Sequence, residues 1–191
     1  MNKLIQEIHR TLLEGKELVL ATIISDKGST PRTSGSSMLV FKDGSISGTI
    51  GGGIIEGKII QSALTLFGTD GAVIISYNLN KSGSRDDKDV VCGGEMQVLI
   101  ENVPVDDENK NMFRRMHKET EAARPFLFFR KLSENGTFQK VDRAMQTTDG
   151  IWGGRFLSQE PYYDQLLDKL KYHNGKTSLF SINEHHYVVF P

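Results

Sequence analysis

Apart from Thr22, the stretch Leu18-Val19-Leu20-Ala21-Thr22-Ile23-Ile24 contains no polar side chain, and it is rich in β-branched residues. A run of this length without polar alternation reads as a strand buried on both faces. Such a strand needs cover above and below, so the expected class is α/β, a mixed sheet flanked by helices. The helical patterns that could supply the cover are present. Residues 2 to 14 place Leu4, Ile5, Ile8, Leu12 and Leu13 on one face and stop at Gly15. Residues 54 to 67 carry Ile55, Ile59, Ala63, Leu66 and Phe67 as an inner stripe, and residues 106 to 121 space Phe113, Met116 and Thr120 behind an Asp106 or Asp107 N-cap.

Further strands are marked by their turns. Asp43-Gly44 is a strong two-residue hairpin signal joining strands near 36–42 and 45–50. Asp70-Gly71 leads into Ala72 to Tyr77, and Met96, Val98 and Ile100 alternate along 95–101. The polar residues from Ser25 to Gly35 read as a loop. Beyond Pro125 the texture changes to Phe126–Leu132, an Asn135-Gly136 turn, a strand near 137–142, a helix around 161–172 and a last strand at 185–190. The expected organisation is a core over 1–103, a connecting helix over 104–124, and a smaller β-rich α+β lobe over 125–191.

Composition removes several classes of function. The chain has 23 basic and 24 acidic residues, for a net charge of -1, which gives no electrostatic case for nucleic acid. No apolar run approaches the roughly 18 residues of a membrane helix. Lys3, Glu7, His9, Arg10 and Glu14 interrupt any signal-peptide core at the N-terminus. Cys92 stands alone, which forbids an intrachain disulfide, suits a cytoplasmic location and excludes a zinc finger. The adjacent His185 and His186 would point to opposite faces of a strand. No spaced Ser/His/Asp pattern appears, and Trp152 reads as a packing anchor.

Three glycine-bearing segments carry the remaining chemistry. In Gly48-Thr49-Ile50-Gly51-Gly52-Gly53-Ile54-Ile55-Glu56-Gly57-Lys58 the order is strand, glycines, helix, where the free N–H groups of the helix start attract anions. The alternative is a tight packing turn with Glu56 as a simple helix-start acid. Gly52 to Lys58 spells a P-loop until Ile59 replaces the Ser or Thr that would hold magnesium. Gly28-Ser29-Thr30-Pro31-Arg32 follows the buried strand and offers two hydroxyls and a guanidinium able to grip a phosphate, or is an ordinary turn. Cys92-Gly93-Gly94 reads either as a small buried hydrophobe or as a thiolate that meets a soft metal or carries sulfur. Asp86, Asp87 and Asp89 oppose the thiolate, since nearby negative charge raises a thiol pKa.

Taken together, Ala21-Thr22-Ile23…Gly28-Ser29-Thr30-Pro31-Arg32, Gly35-Ser36-Ser37-Met38-Leu39-Val40…Asp43-Gly44…Gly48-Thr49-Ile50-Gly51-Gly52-Gly53-Ile54-Ile55-Glu56 and Val91-Cys92-Gly93-Gly94-Glu95-Met96-Gln97-Val98 resemble the XdhC/CoxI family of maturation factors for xanthine and carbon monoxide dehydrogenases. The resemblance covers roughly residues 10 to 102. It implies a cytoplasmic chaperone without turnover chemistry that binds the molybdenum cofactor (molybdopterin) as cargo, protects it, and helps insert it into a molybdenum hydroxylase apoenzyme. A cysteine desulfurase that supplies the sulfido ligand is a second implied partner, and a homodimer is a further expectation. The implied cofactor-binding set is Ser29, Thr30, Arg32, Gly51, Gly52, Gly53, Glu56, Cys92, Gly93 and Gly94, with Cys92 as the contact to molybdenum or its sulfur. Many relatives have a cysteine directly after the glycines, where this chain has Ile54. Family members also usually continue into a C-terminal Rossmann domain that this sequence does not contain, so a short member or a separate subunit is expected. The competing readings are a nucleotide-binding enzyme using Gly52 to Lys58, and a structural subunit whose glycines merely pack.

Overall fold

A computed structural model describes residues 2–79, 93–135, 138–153, 165, 168, 177–182 and 185–190. The apolar run becomes strand β1 (Leu18–Gly28), and its alternate side chains feed different cores. Helices α1 (Asn2–Leu13), α2 (Gly53–Leu64) and α3 (Asp107–Glu121) cover a sheet built from β1, β2 (Ser37–Val40), β3 (Ile46–Gly48), β4 (Gly71–Asn78), β5 (Gly94–Val103), β6 (Leu127–Asn135), β7 (Phe138–Thr147), β8 (Gly150–Gly153), β9 (Ser178–Ile182) and β10 (His185–Phe190). The strand order is β3-β2-β1-β5-β4-β7-β6-β10-β9, with β8 on β7. Every described pairing is antiparallel, so this α/β fold mixes helices with sheet and not strand directions. The strands after residue 125 continue the same sheet as β1 to β5.

On one face, Val19, Ala21 and Ile23 of β1 and Met96, Val98 and Ile100 of β5 pack against Ile55, Ile59 and Ala63 of α2. On the other, Leu18, Leu20 and Val103 meet Leu4, Ile5, Ile8 and Leu12 of α1 and Met112, Phe113 and Met116 of α3. Further along that second face Ile24 and Leu99 join Leu132, Val141 and Val188 from the later strands. This third cluster requires a curled sheet. β6 stands four places from β1 in the strand order, about 19 Å away if the sheet were flat. Yet Nη1 of Arg130 on β6 donates to Oγ1 of Thr22 on β1 at 3.2 Å.

Between the two clusters of the inner face lies a buried ionic layer. Glu101 has no solvent exposure and takes Arg130 Nη1 at 2.8 Å on one carboxylate oxygen, and Arg143 Nη2 at 2.7 Å and Nε at 3.1 Å on the other. Arg143 also donates to the Asn102 carbonyl at 2.6 Å and to Oδ1 of Asn109 at 3.3 Å, while the Arg130 guanidinium lies over the Phe128 ring.

Most local readings carry through, with physical refinements. Asp43-Gly44 closes the β2–β3 hairpin, with Asp43 accepting from the Ser45 N–H at 2.9 Å and its hydroxyl at 2.6 Å. Asp106 caps α3 by accepting from the Asn109 N–H at 2.7 Å. The stretch from Ser25, read as loop, continues instead as strand to Gly28. A bulge after Ile23 resets the register, and Ser25 to Gly28 then pair with Gln97 to Gly94. Of the helix expected around 161–172, only Gln165 and Asp168 are described, and both are helical. Trp152 is 42% exposed, with the Arg115 guanidinium 4.3 Å from its ring centroid.

The α1–α3 contact brings His9 and His117 to a ring separation of 5.3 Å. Burial, His117 and Arg114 lower the His9 pKa below 6.5, with Glu121 opposing them. The sign follows from linkage. Below about pH 6.5 the unfolded chain binds a proton that folded His9 still refuses, so stability falls with pH until the folded ring is protonated too. Urea midpoints measured between pH 8 and pH 5 are expected to decline in this window, with a shallower decline in His9→Gln. Equal slopes for the two proteins would remove His9 as the cause.

Candidate functional site

Antiparallel pairing of β1 with β5 sets Gly28 opposite Gly94, and β4 ends beside them with Asn78 opposite Glu95. This end of the sheet collects the glycine segments. Gly94 lies so close to the backbone that a Cβ there would press on the carbonyl oxygens of Ser29 and of Lys27, the latter at 2.5 Å. Gly28, with φ +71°, sits 3.0 Å from the Gly93 carbonyl by the same measure. Gly51, with φ +134°, packs on the Pro31 ring, where an added Cβ would fall 2.9 Å from the proline Cβ. Close approach at all three points, joined by positive φ at Gly28 and Gly51, excludes ordinary side chains there. Three segments separated in sequence therefore meet around residues 28–32.

The loop after β1 is held at its base. Asp26 Oδ1 accepts from both the N–H and the hydroxyl of Ser34, the former at 2.7 Å. The Gly35 N–H donates to the Ile23 carbonyl at 2.8 Å, and the Ile23 N–H to the Ser36 carbonyl at 2.9 Å. This leaves Ser29 and Arg32 exposed and Thr30 half-buried on a loop with fixed ends.

The Gly51–Gly53 turn has its own internal anion. Glu56 folds back so that Oε2 accepts from Thr49 Oγ1 at 2.7 Å, from the Gly52 N–H at 3.2 Å and from the Ile50 N–H at 3.3 Å. Gly52 is the N-cap of α2, and no side chain caps it by its own hydrogen bond. The next N–H groups, of Gly53, Ile54 and Ile55, have no intrahelical acceptor and point out from the helix start. Glu56 thus braces the turn and shapes what the remaining donors can meet. Glu56→Ala is expected to cost about 0.5–2 kcal/mol, as loss of a cap does, read as a lower denaturation midpoint. A change within error would show that the carboxylate does not hold the turn.

Ser29, Thr30, Arg32, Gly51, Gly52, Gly53, Glu56, Gly93 and Gly94 all fall at this end of the sheet; Cys92 lies outside the described residues. Sequence reasoning missed Asp26, Ser34 and Thr49, which position the loops. Their signal is weak, because each is a common polar residue whose partner lies eight or seven positions away. Among the described residues, no group of three or more His, Cys, Asp and Glu side chains could hold a metal ion, and no helix is long and apolar enough to cross a membrane.

Comparison with known proteins matches residues 11–78 to the XdhC and CoxI family. The matched segment runs from the end of α1 to the end of β4 and includes the Arg32 loop and the glycine turn. Over 81 residues the chain is 41% identical to the uncharacterized protein YqeB of Escherichia coli (strain K12), covering 42% of this chain and 15% of that protein. Its fold is similar to the crystal structure of a xanthine dehydrogenase from Bacillus halodurans, with a TM-score of 0.69 and 19% identity, over 99% of this chain and 52% of that one. The chain therefore spans about half the length of that solved neighbour and a smaller share of the curated relative. The glycine turn and the Arg32 loop thus both lie within the segment, residues 11–78, that matches the XdhC and CoxI family model.

Proposed function

We propose that this chain binds the molybdenum cofactor as cargo, protects it, and assists its insertion into a molybdenum hydroxylase of the xanthine or carbon monoxide dehydrogenase type. The observation that carries this reading is the convergence of Gly28, Pro31, Gly51 and Gly94 at one end of the sheet. Glycines let the three segments approach at backbone distance around Ser29 and Pro31, and Arg32, next in the chain, is exposed. The family match over residues 11–78 supports the same assignment.

The donor set suits the cargo's parts. The phosphate is assigned to Arg32 with the Ser29 and Thr30 hydroxyls and the N–H groups following Gly52. The sulfur-rich metal end is assigned to Cys92, as a soft ligand beside Gly93 and Gly94. The nucleotide reading fits less well. A P-loop needs its backbone N–H groups free for phosphates, whereas here the Gly52 N–H is taken by the Glu56 carboxylate. Loading is proposed to require contact with the apoenzyme, and a cysteine desulfurase and a second copy of the chain are proposed as further partners.

Arg32→Ala tests the phosphate assignment. A charge-assisted hydrogen bond contributes about 1.5–3 kcal/mol, so cofactor retention through gel filtration is expected to fall at least tenfold. The thermal midpoint should stay unchanged, because Arg32 is exposed. Undiminished retention would remove Arg32 from the site.

A further inference from the structure

Just below the Gly28–Gly94 rung the inner face of the sheet changes character. Register places Lys27, Glu95 and Asn78 side by side on β1, β5 and β4, and Ser25, Gln97 and Ser76 side by side one step further in. One more step in, Leu99 and Ile74 lie opposite each other in the apolar cluster that also holds Ile24. Six polar side chains thus stand in two rows of three above an apolar floor, with neighbouring strands about 4.8 Å apart. These six, with Tyr77 and Met96, line a cavity of about 320 Å³. That volume is at the lower end of the range for small-molecule sites, where a few placed polar groups set orientation over an apolar base.

Two hydrogen bonds within the rows are long. Asn78 Nδ2 donates to Glu95 Oε1 at 3.3 Å, and Gln97 Nε2 to Ser76 Oγ at 3.3 Å. The rows offer one carboxylate, which accepts only, two amides and two hydroxyls, which do both, and one ammonium donor. A flat ring with adjacent N–H donors and a carbonyl acceptor on one edge matches this set. Two parallel N–H groups meet the two oxygens of Glu95, and the ring carbonyl accepts from an amide or from Lys27.

We propose that Ser25, Lys27, Ser76, Asn78, Glu95 and Gln97 form a recognition site for the aminopyrimidinone edge of a pterin. This inference rests on the cargo reading above and deepens it, assigning the pterin end to the strand mouth while the phosphate lies toward Arg32. Glu95 is the residue that sets specificity, because an adenine edge presents one amino donor beside ring acceptors and would face the carboxylate with lone pairs.

The test titrates the whole chain with 6-hydroxymethylpterin, followed by ligand fluorescence, in the parent, Glu95→Gln and Gln97→Leu, with adenosine as competitor. Thermal midpoints verify that the variants fold; Glu95 is exposed and Gln97 half-buried, so little change is expected for Glu95→Gln. Saturable quenching in the parent, at least tenfold weaker in Glu95→Gln and undisturbed by adenosine, is the expected result. A parent that retains molybdopterin while both variants retain it equally would overturn the pterin-edge assignment and leave the cargo reading standing. A parent that binds 6-hydroxymethylpterin through Glu95 but retains no molybdopterin would support the edge site and overturn the cargo reading. No quenching in the parent would overturn the edge site.

Discussion

Glu101→Leu is expected to lower the unfolding free energy by about 3–5 kcal/mol, the usual cost of breaking a buried ion pair by removing one partner. Glu101 is fully buried and is the common acceptor of Arg130 and Arg143, which are themselves almost fully buried. Its removal leaves two buried guanidinium charges with only neutral acceptors, Thr22 for Arg130 and Asn102 and Asn109 for Arg143, and Arg130 already has one N–H, on Nε, without a partner. Arg130→Met is expected to cost less, because the Glu101–Arg143 pair survives and a methionine fits beside the Phe128 ring. Urea denaturation of the two variants measures the ordering. A loss below about 1 kcal/mol for Glu101→Leu, or a greater loss for Arg130→Met, would contradict the view that one carboxylate organises this layer.

Gly94→Ala is expected to damage both fold and site. An added methyl would meet two backbone carbonyl oxygens, of Lys27 and Ser29, which cannot turn away as a side chain can. Overpacking of this kind costs about 1–3 kcal/mol, and here the strain falls on the rung that closes the candidate site. Cofactor retention should fall along with the thermal midpoint. Gly57→Ala is the matching contrast. Gly57 lies inside α2, an added Cβ there meets nothing within 4 Å, and its φ is not positive. It should stabilise the chain by about 0.5–1 kcal/mol through helix propensity, without loss of cargo. Because Gly57 belongs to the P-loop-like string, an effect of Gly57→Ala on ligand binding would favour the nucleotide reading. Equal midpoints for Gly94→Ala and the parent would show that the β1–β5 rung tolerates a side chain.

Local signals made much of the fold legible. The unbroken run from Leu18 to Ile24, the Asp43-Gly44 turn and the Asp106 cap each encode their structure within a few residues, and each appears where expected. The glycines of the candidate site were also legible as a group, since close approach needs glycine whatever the topology. Long-range consequences were not. Glu101 looks like an ordinary acid in a strand, and its partners lie 29 and 42 positions away. Nothing local tells a solvated Glu from one that pairs two buried arginines. Asp26 and Lys27 read as loop because they are polar, yet strand pairing with β5 takes them in. The bulge after Ile23 resets which side chains share a face there, and the polar rows at the strand mouth follow from that register.

The most direct measurement is the pterin content of the chain after anaerobic purification from a source that makes molybdopterin, determined by oxidative release and fluorescence. The account predicts close to one pterin per chain in the parent, with a strong loss in Arg32→Ala and Gly94→Ala. Absence of pterin from the loaded, folded parent would contradict the claim that this end of the sheet carries the cofactor.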